Sequence, residues 1–414
     1  MFDSADIKRF HPTSVLETGY DILPFWVSRM ILMTNYVMGE VPFEKVYLHG
    51  LIRDKDGDKM SKSKPETAID PVEAGTKYGF DAVRLSLLIG NTAGNDAKLY
   101  DEKIESYRNF VNKLWNIARF VTVKEGGEGF FDVTQDDITT QGDITLADRW
   151  ILSRFNRLKD EVKQSMDEYN FSGAGELLRA FTWNELADWY LEIAKVEENK
   201  DEILISIMRD LLKLWHPFVP FVTETIWREM GEQESIMVSS WPTADKKLIN
   251  KKAETEFEIV QQIIILIRNA RAQHNIPYSK ELAVVVALDK KTELVANNAA
   301  IIEQIIKLNK LEVNEVGKAG SFACPAGYVS AGVFALGSIF VDVAGAIDVE
   351  KENARLKKEQ DNLNNFIVQL KKKLGNEQFV KNAPDNIVRL EKDKLMEAQE
   401  KLRKINEQLN DLKN

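Results

Sequence analysis

The chain has 414 residues, of which 44% are apolar and 29% are charged. This length exceeds what a single core usually organises, so we expect about three domains of roughly 100–200 residues each. The single cysteine, Cys324, excludes an internal disulfide and a cysteine-built zinc site, and it makes a reducing cytoplasm the expected location.

The net charge of −10 at pH 7 argues against a generally basic surface for nucleic acid. The charge is uneven, because residues 351–414 hold 15 Lys and Arg against 11 Asp and Glu, a local balance of +4. A basic segment on an acidic body is compatible with local contact to phosphates. The longest apolar runs, such as residues 263–267, are much shorter than a membrane span, so we expect no membrane association.

The first 98 residues have the pattern of a parallel α/β unit. Short apolar runs at residues 14–16 and 45–50 predict buried strands, and the segment 25–38 between them has helical length. Two strands alone make a poor sheet, so we interpret this segment as the end of a larger α/β domain.

Residues 99–245 are predicted to form a helical bundle. Apolar and aromatic residues recur at helical spacing in several segments, as Phe110, Leu114 and Trp115 do in the first one. A Gly-, Asp- and Thr-rich loop at 126–143 separates the first two helices, and a later helix ends before His216-Pro217. We expect most of the aromatic residues to form the bundle core.

The remaining residues divide into two predicted domains. Residues 246–346 combine helices at 257–275 and 296–308 with short β-like runs, which predicts a small α+β domain. Residues 347–414 carry apolar heptads in two segments joined near residues 375–384, which predicts an antiparallel coiled-coil hairpin.

The clearest chemical signal is the run Lys-Met-Ser-Lys-Ser at residues 59–63, which follows a predicted strand and an Asp-Gly-Asp turn. Two lysines and two hydroxyl groups on a mobile loop could neutralise a bound triphosphate and stabilise a pyrophosphate leaving group. Because Lys- and Ser-rich loops are also common on protein surfaces, the run alone leaves an ordinary surface loop as the alternative.

This run is the signature loop of the class I aminoacyl-tRNA synthetases, and its surroundings resemble the valyl-tRNA synthetases in particular. The matching stretches follow in the family's order: residues 14–31, 47–54, 107–116, 183–192, 216–221 and 379–384. The resemblance covers essentially the whole chain and identifies it with the carboxy-terminal half of that family. It implies the end of a Rossmann-like catalytic domain (1–98), an anticodon-binding bundle (99–245), a small α+β domain (246–346) and a coiled-coil tRNA-binding arm (347–414).

The resemblance implies ATP-dependent activation of L-valine to valyl-adenylate and transfer to tRNA(Val), with Mg²⁺ accompanying ATP. Lys62 would make the main ATP contact, and Lys59 would assist at the phosphates. Asp21 would hold the ribose, and Trp26 would wall the valine pocket, unless Trp26 is simply a core residue. The implied nucleotide-binding set is Gly19, Asp21, His49, Gly50, Met60, Ser61 and Ser63. Implied tRNA contacts on the arm are Lys371, Lys372 and Lys373, which could equally be a solvated hairpin tip.

The sequence departs from the family in four respects. Pro24 replaces a usual aromatic residue, and Pro65 lies in a stretch after the signature loop that looks one residue longer. The four histidines include no His-x-Gly-His element, which in this family stabilises charge on the α-phosphate. The editing domain against threonine is also missing. We therefore expect the chain to be inactive alone and to need a separate amino-terminal half.

Two alternatives stay open at this stage. One is a fragment of an isoleucyl-tRNA synthetase, although that family commonly ends in a cysteine zinc module that this chain cannot build. The other is a non-catalytic tRNA-binding protein, which would be expected to lose the lysines that serve only ATP. We expect His11, His216 and His274 to be structural, because none has a ligand companion at metal-binding spacing, and we expect no protein-bound zinc.

Overall fold

The computed structural model describes residues 4–60, 69–123, 144–316, 324–334, 336–342, 349–375 and 385–411. The chain divides into two compact units, Met1–Glu254 and Thr255–Asn414. Within the described ranges, no helix combines the length and apolar character that crossing a membrane requires.

The first unit begins with an α/β segment. Its elements in order are helix α1 (Ala5–Phe10), strand β1 (Thr13–Gly19), helix α2 (Ser28–Met38), strands β2 (Phe43–His49) and β3 (Ile52–Arg53), helices α3 (Pro71–Tyr78) and α4 (Phe80–Leu88), and strand β4 (Ala97–Lys98). Strands β1 and β2 are parallel, and β3 pairs in parallel with β4. The predicted strand–helix–strand unit is therefore confirmed, and both strands are longer than the apolar runs that predicted them.

A short irregular stretch separates β1 from α2. It consists of a 3-10 turn (Tyr20–Ile22) and one π-helical turn (Leu23–Val27), so α2 itself starts three residues after the predicted Phe25. Pro24 lies in the first turn of the π-helical stretch, where its missing N–H leaves no hydrogen bond unmade. Single π turns of this kind occur frequently at functional sites.

A helical bundle forms the rest of the first unit. Its elements are α5 (Asp101–Val123), α6 (Leu146–Asp167), α7 (Phe171–Ala180), a π-helical stretch (Phe181–Tyr190), α8 (Leu191–Ile193), α9 (Asp201–Trp215) and α10 (Pro220–Glu229). The aromatic residues form its core as predicted, with the Phe155 and Phe181 rings stacked at 5.3 Å. Trp115, Trp183 and Phe221 are exceptions, since they are 39%, 37% and 61% exposed. The predicted loop at 126–143 lies outside the described residues.

Helix α4 fastens the α/β segment to the bundle. The Asp81 carboxylate accepts hydrogen bonds from the backbone N–H groups of Phe221 and Val222, in the first turn of α10. Arg84 donates to the carbonyl of Phe218 (3.2 Å) and to that of Pro217 (2.9 Å). Burial raises the pKa of Asp81, and the two N–H donors oppose that rise. These contacts fix the orientation of the α/β segment on the bundle.

The second unit contains a four-stranded mixed sheet and flanking helices. Its elements are most of α11 (Lys251–Gln273), strand β5 (Leu282–Leu288), helices α12 (Thr292–Asn297) and α13 (Ala299–Ile306), and strands β6 (Leu308–Glu315), β7 (Tyr328–Phe334) and β8 (Gly337–Asp342). The strand order is β6-β5-β8-β7. The predicted single helix at 296–308 is wrong in detail, because Lys307 adopts a left-handed conformation (φ 50°) and Leu308 begins β6.

Two long helices, α14 (Val349–Leu374) and α15 (Asp385–Asp411), pack against each other in the second unit. They run antiparallel, because Gln360 contacts Asn406 whereas Lys373, further along α14, contacts Glu391 near the start of α15. The buried side chains between them occupy heptad positions of the sequence: Ile367, Leu370, Ala398, Ile405 and Leu409.

Candidate functional site

The carboxyl ends of two parallel strands define the candidate site. The register of β1 on β2 pairs Gly19 with His49, so the last residues of both strands lie side by side. Gly50 follows directly after β2. Ligands of open α/β sheets bind at this end of the strands, where loops can supply polar groups. The sheet therefore brings Gly19, His49 and Gly50 of the predicted set to one edge.

Gly19 lies where a side chain would displace its neighbours. A Cβ atom at this position would lie 2.7 Å from the Asp21 carboxylate and 3.4 Å from the His49 ring. The glycine therefore allows the backbone, the exposed Asp21 carboxylate and the imidazole to meet at one point.

Gly50 is required for a different close approach. A Cβ atom there would lie 1.7 Å from the carbonyl oxygen of Asn95, which is an impossible contact. The same crossing is held by the Gly94 N–H, which donates to the Leu48 carbonyl at 2.8 Å. The segment that precedes β4 thus lies directly over the end of β2, and only glycine permits it.

The His49 ring is oriented by two contacts. Its Nδ1 lies 2.8 Å from the Gly50 carbonyl oxygen, and its Nε2 lies 3.4 Å from the Glu17 carboxylate. When Nδ1 carries the ring proton it donates to this carbonyl, and Nε2 faces the Glu17 carboxylate. The side chain is 47% exposed, so it remains accessible to a ligand.

A cavity of about 640 Å³ opens beside these strand ends. Its polar wall includes Glu17, His49 and Asn95, and its apolar wall includes Leu88 and Phe171. A concave, mostly apolar space with a few convergent polar groups is typical of small-molecule sites.

Asp96 connects the end of β1 with the strand that leads to the signature loop. Its carboxylate accepts from the Tyr20 hydroxyl (3.1 Å) and the Leu51 N–H (2.8 Å), and it pairs with the Arg53 guanidinium. The Leu51 N–H and then Arg53 hold the pKa of Asp96 below its usual value. Asp96 therefore stays ionised and ties together two segments that carry predicted site residues.

The turn before the signature loop is preorganised by its own acidic residue. The Asp54 side chain accepts from the N–H groups of Asp56 (3.1 Å), Gly57 (2.9 Å) and Asp58 (2.8 Å). Gly57 adopts φ 96°, a left-handed conformation that favours glycine. This compact turn fixes the direction in which the chain enters residues 59–63.

The described beginning of the signature loop has one anchored residue and one exposed residue. Lys59 forms an isolated antiparallel bridge with Arg53, and its side chain is exposed. Met60 packs on the core cluster of Ala74, Ala82, Val83, Leu99 and Ile104. Met60 therefore anchors the base of the loop on the core. Ser61, Lys62 and Ser63, and the departure at Pro65, lie outside the described residues.

Trp26 lies over the end of β1. Its indole Nε1 donates to the Thr18 hydroxyl at 2.8 Å. Thr18 is the buried penultimate residue of β1. The side chain of Trp26 is 41% exposed, so it is not a core residue of the described part of the chain. An indole held by its polar edge and exposed at its face can form one wall of a pocket.

Trp183 is an exposed tryptophan on the bundle surface, within the predicted anticodon-binding region. The Lys113 ammonium lies 4.0 Å from the Trp183 ring centroid and pairs with Asp188 at 2.9 Å. A cleft of about 730 Å³ lies beside this ring, lined in part by Tyr107 and Arg179. Exposed aromatic rings beside cations are the groups on which unpaired nucleobases stack.

The three predicted arm lysines lie in the last turn of α14. Lys371, Lys372 and Lys373 are all exposed, and Lys373 pairs with Glu391 at 3.1 Å. Lys394 and Lys373 together lower the pKa of Glu391. This end of the helix pair therefore presents a concentration of positive charge.

Sequence reasoning missed the residues that hold the site together, namely Arg53 and Asp96. Asp96 follows a Gly-Asn pair after a helical segment, a turn signal that could have indicated a fixed polar residue. Among the described residues there is no group of three or more His, Cys, Asp or Glu side chains that could hold a metal ion.

Three comparisons with protein families match successive parts of the chain. Residues 1–100 match the class I tRNA synthetases of the I, L, M and V group. Residues 148–286 match the anticodon-binding domain of tRNA ligases, and residues 348–413 match the valyl tRNA synthetase tRNA binding arm.

Curated relatives agree with this assignment. A valine--tRNA ligase of Oceanobacillus iheyensis is 38% identical over 99% of this chain and 46% of the relative. One of Enterococcus faecalis is 36% identical over 99% of this chain and 47% of the relative. The chain thus spans about half the length of the curated relatives that it matches.

A solved structure supports the fold alone. The LeuRS of Agrobacterium radiobacter K84, in a ternary complex with tRNA and LeuAMS, aligns with a TM-score of 0.52 and 17% identity. The alignment covers 77% of this chain and 39% of the other. By these comparisons, nearly the whole chain is homologous to about half of a valine--tRNA ligase, and its first 100 residues match the class I tRNA synthetases.

Proposed function

We propose that this chain is the part of a valine--tRNA ligase that handles ATP and tRNA, within an enzyme that activates L-valine to valyl-adenylate and transfers it to tRNA(Val). The observation that carries the proposal is the meeting of Gly19, Asp21 and His49 at the strand ends, in a chain homologous to these ligases.

In this proposal the strand ends bind the adenosine part of ATP. Gly19 lets the backbone approach the nucleotide, Asp21 accepts hydrogen bonds from the ribose hydroxyls, and His49 with Gly50 lies near the adenine. Trp26 walls the pocket for the small valine side chain, which its exposed ring face can contact. Hydrophobic contact discriminates weakly between side chains of similar size, so an editing activity elsewhere in the enzyme is expected.

The signature loop supplies positive charge to the phosphates in this proposal. Lys62 contacts ATP, Lys59 assists, and Met60, Ser61 and Ser63 complete the loop. Mg²⁺ enters with ATP and neutralises phosphate charge rather than occupying a site built by this chain. Preorganised cations lower the barrier by stabilising charge on the leaving pyrophosphate. The ordered Asp54 turn and the packing of Met60 on the core support this role, because they fix where the chain enters the loop.

The bundle and the arm bind tRNA in this proposal. The exposed Trp183 ring with Lys113 suits stacking of unpaired bases of the anticodon stem-loop. The helices α14 and α15 act as a coiled-coil arm, whose exposed Lys371, Lys372 and Lys373 contact the tRNA backbone. The four-domain division at 1–98, 99–245, 246–346 and 347–414 is part of the same proposal.

Binding of tRNA by the chain alone tests this proposal. Filter binding would compare valine tRNA with leucine and isoleucine tRNA transcripts at several salt concentrations. Tighter binding of the valine transcript supports the valine assignment. Preference for the isoleucine transcript would favour the isoleucyl alternative, and equal binding of all three would favour a non-specific tRNA-binding protein.

A further inference from the structure

A cleft on the first unit combines charged, amide and aromatic groups that the proposed activation of valine does not use. It lies between the amino-terminal half of α5 and the junction of α7 with the π-helical stretch, and its volume is about 730 Å³. Small-molecule sites commonly enclose about 300–1,000 Å³. None of the described residues lines both this cleft and the cavity at the strand ends, so the two are separate.

Lys103 places a half-buried ammonium group in this cleft. Its Nζ donates to the Lys98 carbonyl at 3.3 Å, and within the described part of the chain no carboxylate pairs with it. Burial lowers the pKa of Lys103, because the charged form loses hydration that no neighbouring anion replaces. Removing a charge from water without a counter-ion is costly. Such a cation suits a site that an anionic ligand completes.

Further hydrogen-bond donors line the same cleft. Arg179 pairs with Glu176 through Nε at 3.1 Å and Nη2 at 2.8 Å, which leaves its Nη1 without a partner among the described residues. Burial raises the pKa of Tyr107, so its hydroxyl stays protonated and can donate. The acidic Glu102 on the rim is paired with Lys55 at 2.7 Å. The groups available to a ligand are therefore mainly donors, which a phosphate can accept from.

An aromatic wall and two amides complete the cleft. The exposed Trp183 ring stacks on the buried Phe110 ring with their centroids 6.3 Å apart, and the side chains of Asn109 and Asn184 are exposed beside them. Trp183 and Asn184 belong to the π-helical stretch, a geometry that is frequent at functional sites. Phe110 follows Lys103 by seven residues, or about 10 Å along α5. A lysine side chain and a nucleotide together can span that separation.

We infer that this cleft binds one nucleotide, with its phosphate at Lys103 and Tyr107 and its base against Trp183. The amides of Asn109 and Asn184 contact the edge of the base, where unpaired bases offer donors and acceptors. The inference rests on the proposed function, which gives Trp183 a stacking role, and it adds the residues that bind the phosphate and the base edge. The nucleotide comes either from a bound tRNA or from a free nucleoside 5′-monophosphate, and two experiments separate these sources.

Filter binding of valine tRNA to the full chain at several salt concentrations tests the phosphate contact. Lys103→Gln removes the charge and Lys103→Arg keeps it, whereas Lys98→Gln removes an exposed charge of a residue that does not line the cleft. We expect Lys103→Gln to weaken binding at least fivefold and to reduce the slope of log affinity against log salt by about one. Lys103→Arg and Lys98→Gln should leave the slope unchanged.

Fluorine NMR of the chain labelled with 5-fluorotryptophan tests the base contact with free ligands. The variant Trp183→Phe assigns the Trp183 resonance. The probes are AMP, CMP, GMP and UMP, with uridine and inorganic phosphate as the separate parts of a nucleotide. We expect at least one monophosphate to shift the Trp183 resonance, and Lys103→Gln to weaken that binding at least fivefold. Uridine and inorganic phosphate should each bind more weakly than UMP.

Stability separates a lysine that binds a ligand from one that supports the fold. Without ligand, Lys103→Gln removes a half-buried cation that has no described ion-pair partner. Its urea midpoint should therefore equal or exceed that of the unaltered chain. A lower midpoint together with an unchanged salt slope would assign Lys103 a structural role and overturn the inference.

The combined outcomes distinguish this inference from the proposed function. A salt slope that depends on Lys103 supports the inference with tRNA as the source of the nucleotide. A shift of the Trp183 resonance by a monophosphate, without that change in slope, supports it with a free nucleotide as the source. Neither effect, in a chain that binds valine tRNA, would overturn the inference alone. A chain that binds no valine tRNA would contradict the proposed function, and the monophosphate titration would then decide the inference.

Discussion

The carboxylate of Asp96 pairs with the guanidinium of Arg53, and this contact connects the two halves of the candidate site. On one side, Asp96 accepts from Tyr20, the neighbour of Asp21. On the other, Arg53 donates to the Gly57 carbonyl at 3.3 Å and bridges to Lys59. The carboxyl end of β1 and the base of the signature loop therefore share one ionic contact.

Replacing this carboxylate should loosen the loop base. In Asp96→Asn, the amide nitrogen faces Arg53 in place of a charged acceptor, so Arg53 loses its partner and its hold on the turn weakens. We expect residues 52–60 to exchange amide hydrogens several-fold faster in this variant. Glu102→Gln, which removes the exposed pair between Glu102 and Lys55, is the control and should leave the exchange unchanged. Identical exchange in both variants would show that the contact does not organise the loop.

The same carboxylate should contribute to the acid sensitivity of the segment. The pKa of Asp96 is lower in the folded chain than the ordinary value of about 3.9, so its stabilising effect is complete above that value. The effect is lost as the pH falls through the folded pKa. The protection of amides 52–60, measured relative to their intrinsic exchange rates, should therefore fall between pH 5 and pH 3 more steeply in the unaltered chain than in Asp96→Asn. Parallel profiles would contradict this assignment.

His216 should make the bundle sensitive to mild acid. Burial lowers the pKa of His216 from its ordinary 6.5, although Glu224 and Asp81 oppose the shift. A depressed histidine pKa gives stability that is present above the ordinary value and is lost as the pH falls through the folded value. Urea midpoints should drop between pH 7.5 and pH 5, and the drop should shrink in His216→Asn. An undiminished drop would assign the sensitivity to other groups.

A buried ion cluster should dominate the stability of the bundle. Lys200 is only 3% exposed and pairs with Asp148 (2.6 Å) and Glu197 (2.8 Å), while the Tyr190 hydroxyl donates to Asp148 at 2.7 Å. Lys200→Met leaves two carboxylates without their cation and should cost about 3–5 kcal/mol in urea denaturation. The exposed pair of Lys195 with Glu192 is the matched control, since Lys195→Met should cost less than about 1 kcal/mol. Similar losses in both would show that burial does not decide the effect.

Charge at the end of α14 should account for part of the salt dependence of tRNA binding. We expect the double variant Lys371→Ala/Lys372→Ala to weaken valine tRNA binding and to reduce the slope of log affinity against log salt by about one per lost phosphate contact. The control is Lys246→Ala/Lys247→Ala, two exposed lysines in a short 3-10 turn of the first unit. An unchanged slope in the first double variant would contradict an electrostatic arm.

Periodicity predicted most elements correctly because their cores are built from regular apolar spacing. It predicted the parallel strands at 14–16 and 45–50 and the bundle helices. It failed at Lys307, where one residue in a left-handed conformation converts a helix into the start of a strand. No hydrophobic pattern marks such a conformation, and lysine rarely adopts it.

The candidate site was only partly predictable from the sequence. The run Lys-Met-Ser-Lys-Ser at residues 59–63 indicated Lys59 and Met60. The family resemblance indicated Gly19, Asp21 and His49, because these residues lie within recognisable local stretches. Asp96 and Asn95 lie more than 40 residues away in sequence from Arg53 and Gly50, and only the pairing of β3 with β4 brings them together. Contacts of that range depend on topology, which local pattern does not determine.

Valine-dependent exchange of pyrophosphate into ATP tests most directly whether this chain takes part in activating valine with ATP. It would be run with this chain alone, with the complementary part of the Oceanobacillus iheyensis ligase alone, and with the two co-expressed, each with valine, isoleucine or no amino acid. We expect exchange only with both parts present, strongest with valine, and its loss in Lys62→Ala. A co-purified complex that binds valine tRNA but exchanges no pyrophosphate with valine, or that exchanges equally well in Lys62→Ala, would contradict it.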